Sequence, residues 1–213
     1  MTGSAKVIAF PEAMTRHWAV FEAGLLRMRG EGFFSDEAIE AACARAKPVY
    51  LAYAQPAADE PFSTDVNGWL NKYLNRIRNG LLFATMGAVI KLWQCRGGHA
   101  IGDPAGLETE PVVALALAAW LRTADVIRGA LARQGAPQGM SEYVVEQLRP
   151  IYLRYCGHRS HVLPPELLLG GINAEVAEIV GGLLFELVIR EAELVDLEKT
   201  SPPGNTDHLR VVH

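Results

Sequence analysis

Two short stretches hold the side chains best suited to chemistry: "YCGHRSH", with Cys156, His158 and His161, and "CRGGH", with Cys95 and His99. Thiolates and imidazoles are the ligands zinc prefers, four at a time in tetrahedral sites. If the two stretches meet in space, these five residues could hold zinc, and they supply the one cofactor expectation the chain offers. The same groups would also allow a thiol nucleophile activated by an imidazole, Cys156 with His99 or Cys95 with His158. Their spacing does not favour either use. Cys-x-His-x-x-His beside Cys-x-x-x-His matches none of the paired patterns of structural zinc sites. In the simpler reading Cys156 packs as a small apolar residue at a helix end, and His158 and His161 decorate the turn after Gly157, where cations suit the helix's negative pole.

A second constellation is polar. Asn67, Asn71, Asn75 and Asn79 recur every fourth residue, with Lys72, Arg76 and Arg78 among them. Four residues overshoot a 3.6-residue turn by about 40°, so the set forms a slanting stripe on a helix. Asparagine and arginine can contact bases and phosphates. The plainer reading is a solvated face, because the chain as a whole is acidic, with 20 basic and 24 acidic residues and a net charge of −4. Nucleic acid is therefore an unfavoured partner. The chain holds no Gly-x-Ser-x-Gly elbow, His-Glu-x-x-His pair or phosphate-binding Gly-x-x-x-x-Gly-Lys loop. "GGHAIG" follows a helix and lacks a lysine, so its glycines are expected to turn the chain.

The elements that must position these groups read as helices throughout. Residues 1–11 are expected to form a short extended arm, because proline disfavours helix at the residue before Pro11. Trp18, Phe21, Leu25 and Met28 then repeat on one helical face. Ser35, with Asp36 and Glu37 after it, has the chemistry of a helix start. Pro48 is expected to kink or divide that helix. The stretch from Asn67 to Cys95 changes character midway, from amphipathic to apolar nearly all round, and the second half is expected to be buried.

A helix after Pro111 should end near Arg133, with Gly135 and Pro137 beyond it. Ser141 should cap the next, with a bend at Pro150 and a stop at Gly157. Pro164 to Gly170 adds a short piece. In the last helix Val176, Val180, Leu183, Leu187, Leu194 and Leu197 mark a seam for another helix, on which Arg190 is the one charged position. Gly80, Gly87, Gly181 and Gly182 interrupt long helices, each costing about 1 kcal/mol against alanine, so a close helix crossing or a cavity is expected there. Trp69, Phe83, Trp93, Trp120 and Phe185 could wall such a cavity, which would suit a small apolar ligand.

No alternating apolar and polar run persists, which gives an all-α fold of about seven helices: an arm over 1–11, a bundle-like domain over 12–199 and a tail over 200–213. The 213 residues suffice for a core without disulfides. Three scattered cysteines fit a reducing compartment, so a cytoplasmic location is expected, and no apolar stretch approaches the roughly 20 residues of a membrane span. The functional expectation is a non-catalytic helical protein that works by binding, with a homo-oligomer or a protein partner. The alternatives are a metal- or thiol-dependent enzyme or sensor using Cys95, His99, Cys156, His158 and His161, and nucleic-acid binding through Asn71, Asn75, Arg76 and Asn79.

Overall fold

The computed structural model describes residues 3–27, 34–54, 66–98, 114–157 and 174–200. Among these, six α-helices and one π-helical turn account for nearly the whole, and no strand occurs. The helices are α1 (Gly3–Arg27), α2 (Asp36–Ala54), α3 (Val66–Cys95), α4 (Ala114–Arg133), α5 (Gln138–Tyr152) and α6 (Ala174–Thr200), with the π-helical turn Leu153–Gly157 continuing α5. The short piece expected between Pro164 and Gly170 lies outside the described residues, as does the tail beyond Thr200.

The expected extended arm is replaced by helix: α1 begins at Gly3 and runs through Pro11. Proline's fixed φ is itself helical, and what it removes is one N–H bond to the turn before it. A helix continuing on both sides overrides the bias at the preceding residue. The same holds at Pro48, which neither divides nor ends α2. Its missing N–H would have met the carbonyl of Ala44, and both residues are exposed, so water satisfies that group.

The ends of the helices follow local chemistry. Ser35 Oγ accepts the Ala38 N–H at 3.2 Å, with Asp36 and Glu37 in the first turn. Past α3, Gly97 has φ +65° and donates to Gln94 while Gly98 donates to Trp93. This is the paired closure that satisfies the last carbonyls of a helix and needs a residue free to take positive φ. Gly135, at φ +74°, closes α4 in the same way, with Gly135 bonded to Ala132 and Ala136 to Leu131. Ser141, by contrast, is inside α5. The helix starts earlier, and the N–H groups of Met140 and Ser141 bond to the carbonyl of Pro137, which stands at the cap position without a side-chain cap. Proline brings no N–H of its own to satisfy there and leaves its carbonyl free to accept.

Helix α6 is the axis of the packing, and its principal neighbours are α2, α3 and the π-helical turn. Val180, Leu183, Leu187 and Leu194 are all at most 1% exposed, so the seam read from their spacing is filled within the chain. Helix α2 meets it with small residues, Ala38, Ala42 and Ala46, all buried, which lets the two backbones approach. Ion pairs rim that contact: Arg45 with Glu191 and Glu198, and Lys199 with Glu37. Such exposed pairs each add a fraction of a kcal/mol and set register more than stability. Helix α1 lies outside α2, where Trp18 packs on Tyr50 with ring centres 5.7 Å apart and the Tyr50 hydroxyl donates to the Met14 carbonyl at 2.7 Å. At the far side α5 packs on α3, and α4 on α5, with Trp120 against Tyr152 at 5.2 Å.

Candidate functional site

Arg78 is 3% exposed, although it belongs to the basic group read as a surface stripe. It stands four residues after Leu74 and four before Leu82, on the apolar side of α3, and its guanidinium crosses to the end of the π-helical turn. There Nη2 donates to the carbonyls of Cys156 at 2.8 Å and Tyr155 at 3.2 Å, and Nη1 reaches Asn75 at 3.5 Å. A cation on the last carbonyls of a helix is favourable to its dipole. The Nε–H, buried, has no partner among the described residues.

Arg76 also turns inward, donating to the Tyr53 carbonyl at 3.3 Å, with its guanidinium 4.8 Å over the Tyr73 ring. Asn75 is half-buried and Asn79 exposed, and Asn71 lies on the same helix. Of the polar group around the asparagines, the two arginines are thus engaged within the chain, and Asn79 and Lys72 face outward.

Cys156 is 5% exposed, and burial pushes its thiol above the ordinary range, an effect the adjacent Arg78 only partly offsets. Cys95 is half-buried at the C-terminal end of α3, its thiol raised by burial first and by Glu198 after that. The two thiols stand apart, Cys156 beside the middle of α3 and Cys95 at its C-terminal end. Arg78 touches Cys156, and Cys95 lies seventeen residues farther along α3, roughly 25 Å at the rise of an α-helix. A single centre drawing on both thiols is not what this arrangement builds. Among the described residues no three histidine, cysteine or acidic side chains converge as metal ligands, and His99, His158 and His161 lie outside those residues. No disulfide joins Cys43, Cys95 and Cys156.

Of the four glycines expected to allow a helix crossing or a cavity, Gly80 and Gly182 instead receive tyrosine rings. A Cβ at Gly182 would overlap the ring of Tyr155, and one at Gly80 the ring of Tyr53. Of the aromatics read as cavity walls, Trp120 sits between α4 and α5, Trp93 covers Gly98, and Phe83 points outward. One shallow hollow of about 370 Å³ lies elsewhere, between α4 and Tyr152, and is lined by Ala119, Arg122, Thr123 and Val126.

The C-terminal half of α3 departs from its expected burial. Its inner face is closed, with Leu81, Ala88, Val89 and Leu92 buried, but Phe83 is 55% exposed on the opposite side. Met86 and Ile90, one and two turns on, are half-buried, and a Cβ at Gly87 would meet nothing within 4 Å. Positions 83, 86, 87 and 90 share one side of a helix. Among the described residues, then, this side of α3 leaves Phe83 uncovered, while Met86 and Ile90 pack partly against the core.

His17 is a half-buried titratable group of α1 that lies against α6. Its Nδ1 is buried without a partner among the described residues, and its ring lies by Gly181 and 6.4 Å from the Tyr50 ring. Burial lowers its pKa, and a hydrogen bond to the Ala177 backbone only partly offsets that. The folded chain therefore binds this proton less readily than the unfolded one. The stabilising effect of a neutral His17 is complete above the unfolded value, near 6.5, and is lost as the pH falls through that value toward the lower folded one. Glu186 has the opposite sign, since burial raises its carboxyl, with Arg190 and Arg154 opposing. Urea titrations of parent and His17→Phe between pH 7.5 and 5 separate the two: the parent loses stability across that range, and the variant loses less.

Set against family models, curated proteins and solved structures, the chain matches none.

Proposed function

We propose that this protein is a non-catalytic helical interaction protein that associates with itself. The observation that carries the reading is Phe83, more than half exposed on the outer side of α3 next to the open position at Gly87. Met86 and Ile90 beside it are half-buried and pack partly on the core, so the surface offered is small. The alternative seam, on α6, is already occupied by α2 and α3. No helix among the described residues is long and apolar enough to cross a membrane, so a bilayer-spanning use of the apolar helices has no support.

Light scattering after gel filtration, run over a hundredfold range of concentration, tests self-association. The expected result is a mass rising from one chain toward two. A single-chain mass at every concentration would end the reading.

A further inference from the structure

We propose that His17 is an acid-sensitive latch on α1: taking up a proton there loosens α1 from the other helices while those helices stay packed. The ring sits where α1 meets α6. A Cβ at Gly181 would come within 3.8 Å of its Nε2, and the ring is hydrogen-bonded to the Ala177 backbone one turn earlier on α6. Its Nδ1 is buried with no partner among the described residues. A neutral imidazole carries one N–H and one bare nitrogen. The surroundings match that form, with the N–H at Nε2 and the bare nitrogen at Nδ1. A second proton would create a buried, positively charged N–H with no acceptor in place, which costs more than a bare nitrogen does.

No described group stands ready to offset that charge. Helix α2 presents Tyr50, whose hydroxyl already donates to the Met14 carbonyl. On α3 the titratable group that acts on Tyr50 is Tyr73, also a buried phenol. Helix α6 offers the Ala177 backbone and Gly181, and Glu178 between them is exposed. On α1 itself Arg16 is exposed, and Glu22 is engaged by the Trp18 indole at 2.9 Å and by Lys47. Burial accordingly holds the docked ring below its ordinary value. The docking of α1 is therefore undiminished above 6.5, weakens as the pH falls through that value toward the lower docked one, and levels off below it.

The packing decides which element gives way. Helices α2, α3 and α6 pack on one another, whereas α1 lies outside α2. Among the described residues α1 is held by a short apolar strip of Met14, Trp18 and Leu25, by the Tyr50 hydrogen bond and by the Lys47–Glu22 ion pair at 3.7 Å. An element with so few holds opens at a lower free energy than the core. Its loosening uncovers Trp18 and Tyr50, both at most 2% exposed when α1 is docked.

Hydrogen exchange of the full chain, read by mass spectrometry from pH 7.5 to 5 and corrected for the intrinsic pH dependence of amide exchange, tests the latch. The α1 amides should lose protection by up to about tenfold per unit of pH between 6.5 and the docked value, the most that one proton can give. The amides of α3 and α6 should keep theirs. His17→Phe keeps a ring that cannot ionise and should hold α1 protection constant with pH. Glu22→Gln removes a carboxylate of the same helix and should respond as the parent does. Parent α1 protection that is unchanged down to pH 5, or that is lost equally across α3 and α6, would overturn the latch whatever the variants do. A pH response that persists in His17→Phe would overturn it too, by assigning the proton to another group.

Discussion

Gly182→Ala destabilises the fold by about 2 kcal/mol, the usual range for forcing atoms into a filled site, whereas Gly87→Ala stabilises it by roughly 0.5–1 kcal/mol. Both substitutions replace glycine within a long helix, so intrinsic propensity assigns them the same favourable sign. The surroundings separate them. At Gly182 the new Cβ would fall within the Tyr155 ring, which lies on α6 from the π-helical turn and is held there by that turn's anchorage to Arg78. At Gly87 it would meet nothing within 4 Å. Urea denaturation of the two variants at a concentration that keeps the chain monomeric reads the difference. A Tyr155→Ala, Gly182→Ala double variant supplies the control. With the ring gone, the second substitution should become neutral or favourable, giving a coupling energy of about 2 kcal/mol between the two sites. A Gly182→Ala variant as stable as the parent would show that Tyr155 has room to move aside.

That contrast marks how far the sequence could be read. The spacing of Val180, Leu183, Leu187 and Leu194 identified the buried side of α6, because a helical period is a property of the sequence itself. Ser35 and Gly135 were legible for a similar reason: cap chemistry involves residues three to five positions apart. The glycines were legible only as anomalies. Their partners, Tyr53 and Tyr155, come from other elements, and nothing in a glycine's neighbours along the chain specifies an incoming ring. The second half of α3 shows the complementary limit. An apolar composition says that a helix wants cover on every side, but not whether its own chain supplies it.

The candidate site divides in the same way. Of the asparagines, Asn79 is exposed on α3, whereas Asn75 is half-buried and accepts from Arg78, whose own position helix geometry sets apart from Asn79. At about 100° per residue, a position one after Ile77 and four after Leu74 falls on the apolar side. The missed signal was a single basic residue inside an otherwise apolar face, where a charge survives only with specific partners. The thiols illustrate the reverse. Cys95 and Cys156 looked like members of one cluster because their types suit a common metal, and residue type carries no information about distance. Only the tertiary contact between Arg78 and the π-helical turn fixes Cys156 beside the middle of α3, away from Cys95 at its end.

Arg78→Met is accordingly expected to be among the most damaging single changes, lowering stability by about 3 kcal/mol. Methionine fills much of the volume but donates nothing. The carbonyls of Tyr155 and Cys156 would then lose the donor that reaches them, in a region with little access for water. An unsatisfied buried acceptor costs roughly 1–3 kcal/mol, and two are at risk. Removing the guanidinium also relieves a buried charge whose described partners are carbonyl and amide oxygens rather than carboxylates. That relief opposes the loss and holds the net effect below the sum of the two carbonyl penalties. Arg78→Lys should fall between parent and Arg78→Met, since a compact ammonium cannot span two carbonyls as the planar guanidinium does. Thiol labelling distinguishes this mechanism from a general loss of stability. In the parent, Cys156 is 5% exposed and its thiol is held in the protonated form by burial, so it should react slowly. If Arg78 pins the π-helical turn, Arg78→Met speeds the labelling of Cys156 by at least tenfold in the absence of denaturant and leaves Cys95, at the C-terminal end of α3, at its parent rate. Equal acceleration at both cysteines would mean that the whole fold loosens and that Arg78 does not act locally.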